Sequence, residues 1–292
     1  VLLNKTRKST GHEQVLLQAA YNHKKNRAFL KHTYNADKEK SATSKVRSVK
    51  KINELPYLGQ EVKSFPEEKI KELLFEGFVN PGTSPTDPLH VRLNLKNVLL
   101  TILMNFGGLR ESEPFHIYVD DILQTKSGLP VVRVYHPTLG LAPDYYCREY
   151  GNTFRHEYLA KRYGLEDRKT SRKKAYHAGW KHPALDSRTG NYFIVRFYPL
   201  SIEKLFYTLW RLYIKTQRVS PPKNRLHPFA FTNKDGNPAS IEQYNRALER
   251  GVNKIGLPYK KCYGTTSHGG RHANGKRLSL SGVDPLITKA VM

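Results

Sequence analysis

The chain has 292 residues, 49 Lys and Arg against 25 Asp and Glu, and a formal net charge of +24 at pH 7. Hydrophobic residues make up 38% and aromatics 11%, enough to bury a sizeable core and to exclude a disordered polymer. No stretch approaches the ~20 apolar residues of a membrane span, and the two cysteines, Cys147 and Cys262, exclude a disulfide framework and a four-thiolate zinc site. A positive surplus this large favours polyanions (DNA, RNA or an anionic membrane surface) over a role in general solubility. No secretory leader is visible, and an initial Val in place of Met reads as a fragment. A reducing cytoplasm or nucleoid is the expected location.

Residues 1–51 carry thirteen basic side chains opposed only by Glu13, Asp37 and Glu39. Val15-Leu16-Leu17 and Ala28-Phe29-Leu30 predict short helices. Asp37 to Lys51 reads as a basic linker, including Lys45, Arg47, Lys50 and Lys51 as candidate phosphate contacts; a solvated tail is the competing reading. Ser64-Phe65-Pro66-Glu67-Glu68 has the form of a helix start, followed by Ile70, Leu73 and Leu74 at helical spacing. Val91 to Phe106 predicts a buried helix that stops at Gly107-Gly108. Strands are expected over His116–Ile122, Val131–Tyr135 and Tyr192–Tyr198. Between the last two runs a long polar segment, 137–190, with a basic cluster from Arg168 to Lys174. Arg172, Lys173 and Lys174 in it are further candidate DNA contacts. A connection of this length is expected to be functional or mobile. Ile202, Leu205, Phe206, Leu209, Leu212 and Tyr213 predict a core-packing helical stripe, broken at Pro221-Pro222. A turn at Asp235-Gly236 and a capping box from Ser240 to Gln243 follow, the latter opening a helix to about Ile255. Thr265-Thr266-Ser267 is expected to cap a last helix carrying His268, Arg271 and His272.

Two short segments hold the chemistry. Gly107-Gly108-Leu109-Arg110-Glu111-Ser112-Glu113 supplies one arginine. His268-Gly269-Gly270-Arg271-His272 supplies another, flanked by two histidines. An arginine presents a planar fork of donors that matches two phosphate oxygens and stays charged. On a helix, positions 268, 271 and 272 share a face and form a compact anion site. Glycines at 269 and 270 each cost a helix up to ~1 kcal/mol, which implies a frayed start or a close approach of backbone or ligand. Zinc is the weaker reading of the histidine pair: a zinc protease needs Glu beside the first His, where Gly269 stands, and Arg271 repels a cation.

Gly108-Leu109-Arg110-Glu111-Ser112-Glu113 resembles the first box of the tyrosine recombinases (the phage-integrase family), and His268 to His272 resembles their second box. The tail Ser281-Gly282-Val283-Asp284-Pro285-Leu286-Ile287 is similar to the segment that follows it. The resemblance covers roughly residues 60–292. It implies an α+β, mainly α fold with a small antiparallel sheet. A basic N-terminal segment and linker over 1–55 would precede a catalytic domain over 56–292. It also implies that Arg110 and Arg271 clamp a scissile phosphate, that His268 assists, and that Glu113 and His272 orient these groups. A lysine acts as general acid; Lys181 is the choice here, with Lys173 and Lys174 as rivals. No metal or cofactor is implied. The partner would be double-stranded DNA, bound by four copies of the full-length protein, with no membrane involved. The family's nucleophilic tyrosine follows the second box, whereas the last tyrosine here is Tyr263; a truncated, inactive fragment is the expectation. A non-catalytic DNA-binding relative that keeps the phosphate clamp, and a metal-dependent nuclease, are the alternatives.

Overall fold

The computed structural model describes residues 3–8, 11–33, 35–50, 63–125, 128 and 130–291. Its contacts divide into two compact units, 1–61 and 62–292. In the first, strand β1 (Leu3–Lys8) is followed by helices α1 (Gly11–Arg27) and α2 (Ala36–Thr43) and strand β2 (Lys45–Lys50). β1 and β2 pair antiparallel, with Lys45 opposite Lys8, Arg47 opposite Thr6 and Lys50 opposite Leu3. The stretch expected to be a linker is therefore a helix and a strand. Two local devices account for it. The Asn35 side chain accepts the Lys38 N–H at 3.0 Å and starts α2, and a two-stranded ladder needs backbone partners rather than apolar side chains. Lys51 lies outside the described residues. α1 covers Val15-Leu16-Leu17 as one long helix, with Val15 and Leu16 exposed, whereas 28–30 form a turn.

The second unit begins with a 3-10 turn (Glu67–Lys69), a single α-turn, α3 (Ile70–Glu72), and a π-turn (Leu73–Gly77). Ile70, Leu73 and Leu74 are buried, as their spacing implies. The helix expected over 91–106 is broken into α4 (Leu89–Arg92) and α5 (Leu95–Asn105). Asn94 caps α5 through the Asn97 N–H, and the Gln217 amide donates to the carbonyls of His90 and Leu93 while accepting the Leu95 N–H. The break is thus fully hydrogen-bonded. α5 is the buried axis of the unit, with ten of its side chains in the core.

The small sheet is antiparallel in the order β3 (Ile122–Gln124), β4 (Pro130–Tyr135), β5 (Tyr192–Ile194). The strand expected at 116–122 is instead two 3-10 turns, Glu113–His116 and Val119–Asp121, with only Ile122 reaching β3. Pro114 lacks a ladder donor, and the Tyr118 N–H is taken by the Asp121 carboxylate at 2.7 Å. The polar segment 137–190 folds around α6 (Asp144–Tyr150) and α7 (Arg155–Tyr163). It builds a satellite core from Tyr118, Ala142, Tyr146, Tyr158, Leu159 and Phe229. Two buried arginines tie it down. Arg155 forks onto both oxygens of Asp121 and lies 4.0 Å from the ring centroids of Tyr118 and of Tyr135. Arg168 donates to the carbonyls of Tyr176, Phe115 and Ala239. Its place in the basic cluster is thus internal, whereas Arg172, Lys173 and Lys174 are exposed.

The chain closes with α8 (Ser201–Thr216), α9 (Ile241–Lys254), α10 (Ser267–Leu280) and α11 (Pro285–Val291). The α8 stripe packs into the main core, and the Ser240–Gln243 box is formed in both directions at α9. The expected α+β, mainly α architecture is the one observed. Among the described residues no helix is long and apolar enough to cross a membrane.

Candidate anion site

Arg110 is placed by the end of α5. The Gly107 N–H returns to the Ile102 carbonyl and the Leu109 N–H to Leu103, with Gly108 at φ 68° between them. This is the helix stop that the glycine pair announces. Immediately beyond it, Glu113, only 1% exposed, accepts the Arg110 backbone N–H at 2.7 Å and its Nη1 at 2.9 Å. One carboxylate therefore fixes both the backbone and the guanidinium of Arg110.

The second box opens α10. Thr266 occupies the cap position in extended conformation without a side-chain cap bond. Thr265 does the fastening instead, bonding through its hydroxyl to the Pro258 and Lys260 backbone. The cost of the glycines has a specific cause at 269: a Cβ there would stand 1.6 Å from the Gly264 carbonyl oxygen. Gly264, at φ +71°, is itself pressed against Ser64, where a Cβ would meet the carbonyl oxygen at 2.4 Å. Gly270 faces Asn105 at ordinary contact distance. The close approach is thus one of backbone to backbone.

Arg271, 8% exposed, reaches from α10 to donate Nη1 to the Gly108 carbonyl, joining the two boxes across 163 residues. Arg110 and Arg271 line one cavity of about 450 Å³, together with Gly107, Gly108, Glu113, Arg196 and a wall formed by 182–186. Burial first and the Arg110 charge second, against the pull of Glu113, lower the Arg271 pKa to about 10. It remains charged at neutral pH. Two like charges lining one recess make it a candidate anion site.

His268 and His272 meet edge to face, with ring centroids 4.3 Å apart, but Arg271 does not join them in one recess as the shared face of 268, 271 and 272 implied. They line an adjoining cavity of about 470 Å³ with Lys63, Lys261, Cys262 and Thr266, rather than the arginine cavity. Burial lowers the pKa of His268, and the charges of Lys261, Arg271 and Lys181 add to it, with Glu111 opposing. His272 is lowered by burial, then by His268, Arg271 and Lys261. Both rings are therefore neutral at pH 7. Among the described residues no group of three or more His, Cys, Asp or Glu is placed to hold a metal ion.

Lys181 is exposed, and its charge reaches His268. Its neighbour Trp180 is buried edge-on against His116 and His136, which fixes the chain at this point. His182, at φ 46°, then turns 182–186 along the arginine cavity. Lys173 and Lys174 sit in an exposed turn of the same segment. Lys45, Arg47, Lys50 and Lys51 belong to the other unit, where only backbone positions are described, up to Lys50.

Sequence reasoning missed Lys63, Lys261 and the Arg196–Asp186 pair. For Arg196 a signal existed: a charge set within the apolar run Ile194-Val195-Arg196-Phe197.

The architecture defines an α+β protein with an arginine-lined cavity between the end of α5 and α10. No family model matches the chain, and no curated protein matches it in sequence. Among solved structures it is similar to the XerH site-specific recombinase bound to its difH substrate in a pre-cleavage complex, at 13% identity over 96% of this chain and 56% of that one, with a TM-score of 0.48. The Tn1549 transposon integrase in complex with circular intermediate DNA is similar at 17% identity, 96% and 69% coverage and a TM-score of 0.44. For the XerA recombinase the values are 12%, 96%, 75% and 0.45. The chain spans 56% and 65% of the length of the chains in two XerH complexes that it matches.

Proposed function

We propose that this protein is a DNA strand-transfer enzyme of the tyrosine-recombinase type, acting in site-specific recombination or integration on double-stranded DNA. The observation that carries the reading is the convergence of Arg110 and Arg271 in one cavity. In this scheme the two guanidinium groups bind the non-bridging oxygens of a phosphodiester and stabilise the charge that grows on them in the transition state. His268, neutral at pH 7, donates a hydrogen bond to the same phosphate. Lys181 gives its proton to the departing 5′-oxygen. A tyrosine gives its phenolic proton to the acceptor nitrogen of neutral His268, and its oxygen forms a bond to phosphorus as the bond to the 5′-oxygen breaks, leaving a 3′-phosphotyrosyl link that conserves the bond for rejoining. Glu113 holds Arg110, and His272 supports His268.

No tyrosine follows the second box up to Met292, and no upstream tyrosine is assigned the role. Assembly of four copies on two DNA sites belongs to the same proposal, as does phosphate contact by Lys45, Arg47, Lys50, Lys51, Arg172, Lys173 and Lys174. The basic segment and linker over 1–55 would then be the end of a DNA-binding arm or core-binding region, followed in sequence by a catalytic domain over 56–292.

The test incubates the protein expressed from its whole gene with a pool of nicked duplexes, with and without EDTA, and isolates detergent-resistant adducts. A tyrosine–DNA adduct that forms in EDTA supports the enzyme. Cleavage that needs a divalent cation and leaves no adduct overturns it in favour of a metal-dependent nuclease. Tight duplex binding with neither outcome leaves a non-catalytic relative that keeps the clamp.

A further inference from the structure

An acid in a cavity built for anions needs an explanation, and Asp186 is such an acid: it lines the same recess as Arg110 and Arg271. Its carboxylate is fully engaged. Oδ2 accepts the Ile194 backbone N–H at 2.7 Å and Arg196 Nη1 at 3.0 Å, and Oδ1 accepts Arg196 Nη2 at 2.9 Å. The arrangement repeats the one that seats Arg110, where Glu113 also takes one backbone N–H and part of a guanidinium. Burial opposes its ionisation, yet the bonds from Arg196 and Ile194 hold the Asp186 pKa below its ordinary value.

Arg196 itself is another lining residue of the recess, and its side chain is 55% exposed. An arginine has five N–H groups; the fork onto Asp186 uses two, and Nη1 also reaches the Ile194 carbonyl at 3.4 Å. The remaining donors are available to a second acceptor. A purely structural ion pair this exposed would contribute little to stability, and would not explain why it stands in the wall of this cavity.

We propose that Arg196 is a third anion-binding arginine of the cavity, taking the phosphate next to the one held by Arg110 and Arg271, with Asp186 as its positioning residue. The proposal rests on reading the cavity as a phosphodiester site. The ligand class is a polyphosphodiester strand, since a lone phosphate would be satisfied by the first two arginines.

The experiment measures binding of the protein to a short labelled duplex across a salt series, for wild type, Arg196→Gln, Arg196→Lys, Asp186→Asn and Arg110→Gln. Arg196→Gln should weaken binding roughly fivefold and reduce the slope of log K against log salt by about 0.9, the loss of one backbone contact. Arg196→Lys keeps the charge, so the slope should hold while affinity falls. Asp186→Asn should do the same, because it removes the seat and not the cation. A wild-type slope and affinity for Arg196→Gln, alongside losses for Arg110→Gln, overturns the proposal and leaves the cavity's assignment standing. If Arg110→Gln is silent as well, the assignment fails and the proposal with it. Should Arg196→Gln not fold, wild-type affinity in Arg196→Lys overturns the proposal.

Discussion

His136 makes the fold beside the candidate site sensitive to acid. It directly follows β4, is buried, and uses Nδ1 to accept two backbone N–H groups, from Thr138 at 3.2 Å and Leu139 at 3.0 Å. A proton on Nδ1 would turn that acceptor into a donor facing two donors. Burial lowers its pKa to about 4, helped by Lys169 and His182 and opposed by Asp167. The folded value lies below the unfolded one of about 6.5, so the unfolded chain binds the proton first as pH falls. The stability contributed by neutral His136 is therefore complete above about pH 6.5 and is lost as pH drops toward about 4. The loss runs at about 1.4 kcal/mol per pH unit, or ~2 kcal/mol by pH 5. His116, lowered to about 3 chiefly by burial, and His227, lowered to about 4 chiefly by burial, add to it in the same window. All three rings therefore act in the same direction, each withdrawing stability as pH falls. Urea unfolding followed by tryptophan fluorescence at pH 7 and pH 5 reads this directly. In His136→Asn an amide oxygen replaces Nδ1 as acceptor and does not titrate, so its loss between the two pH values should be smaller by ~2 kcal/mol. Comparing variant with wild type cancels the general repulsion of a cationic chain. Equal losses in the two proteins would refute the reasoning.

Three other outcomes are expected. Arg110→Lys should reduce strand cleavage by about 10²–10³ while changing duplex affinity far less, because a point charge cannot both pair with Glu113 and fork onto phosphate; single-turnover cleavage against equilibrium binding checks it, and equal losses count against the role. Arg155→Met should destabilise by about 3–5 kcal/mol by leaving the Asp121 carboxylate buried and unpaired, measured as a shift in urea midpoint. Gly269→Ala should prevent α10 from docking, whereas Gly270→Ala should be neutral or stabilising by up to ~1 kcal/mol; thermal melting of the pair separates backbone contact from helix propensity.

Legibility in the sequence followed the range of the interactions. The Ser240–Gln243 box, the α8 stripe, β4 and the glycine stop before Arg110 are set by neighbours within a few residues, and each was readable. The 116–122 run alternates like a strand, but Asp121 captures a ladder donor locally, and the contact with Arg155 that holds Asp121 comes from 34 residues away. The segment 137–190 read as polar because its core is made of tyrosines and arginines, whose burial depends on partners as distant as Ala239. At the site, the two boxes carried Arg110 and Arg271. Asp186 and Arg196 stayed hidden because nine residues, β5 among them, separate a pair that meets only when β5 closes on the loop before it.

Net charge alone does not say which arginines face a ligand; donor use does. Arg155 spends Nε, Nη1 and Nη2 on the Leu141 carbonyl and Asp121, and Arg168 spends its three nitrogens on three carbonyls. Both are buried and saturated, so they act as internal pins. Among the described residues the guanidinium groups of Arg110 and Arg271 each donate through Nη1 alone, to Glu113 and to the Gly108 carbonyl. Both residues line the same recess, where burial first and the Arg110 charge second lower the Arg271 pKa. One partner per guanidinium fixes its direction without filling its valence, the arrangement that the proposed phosphate clamp requires.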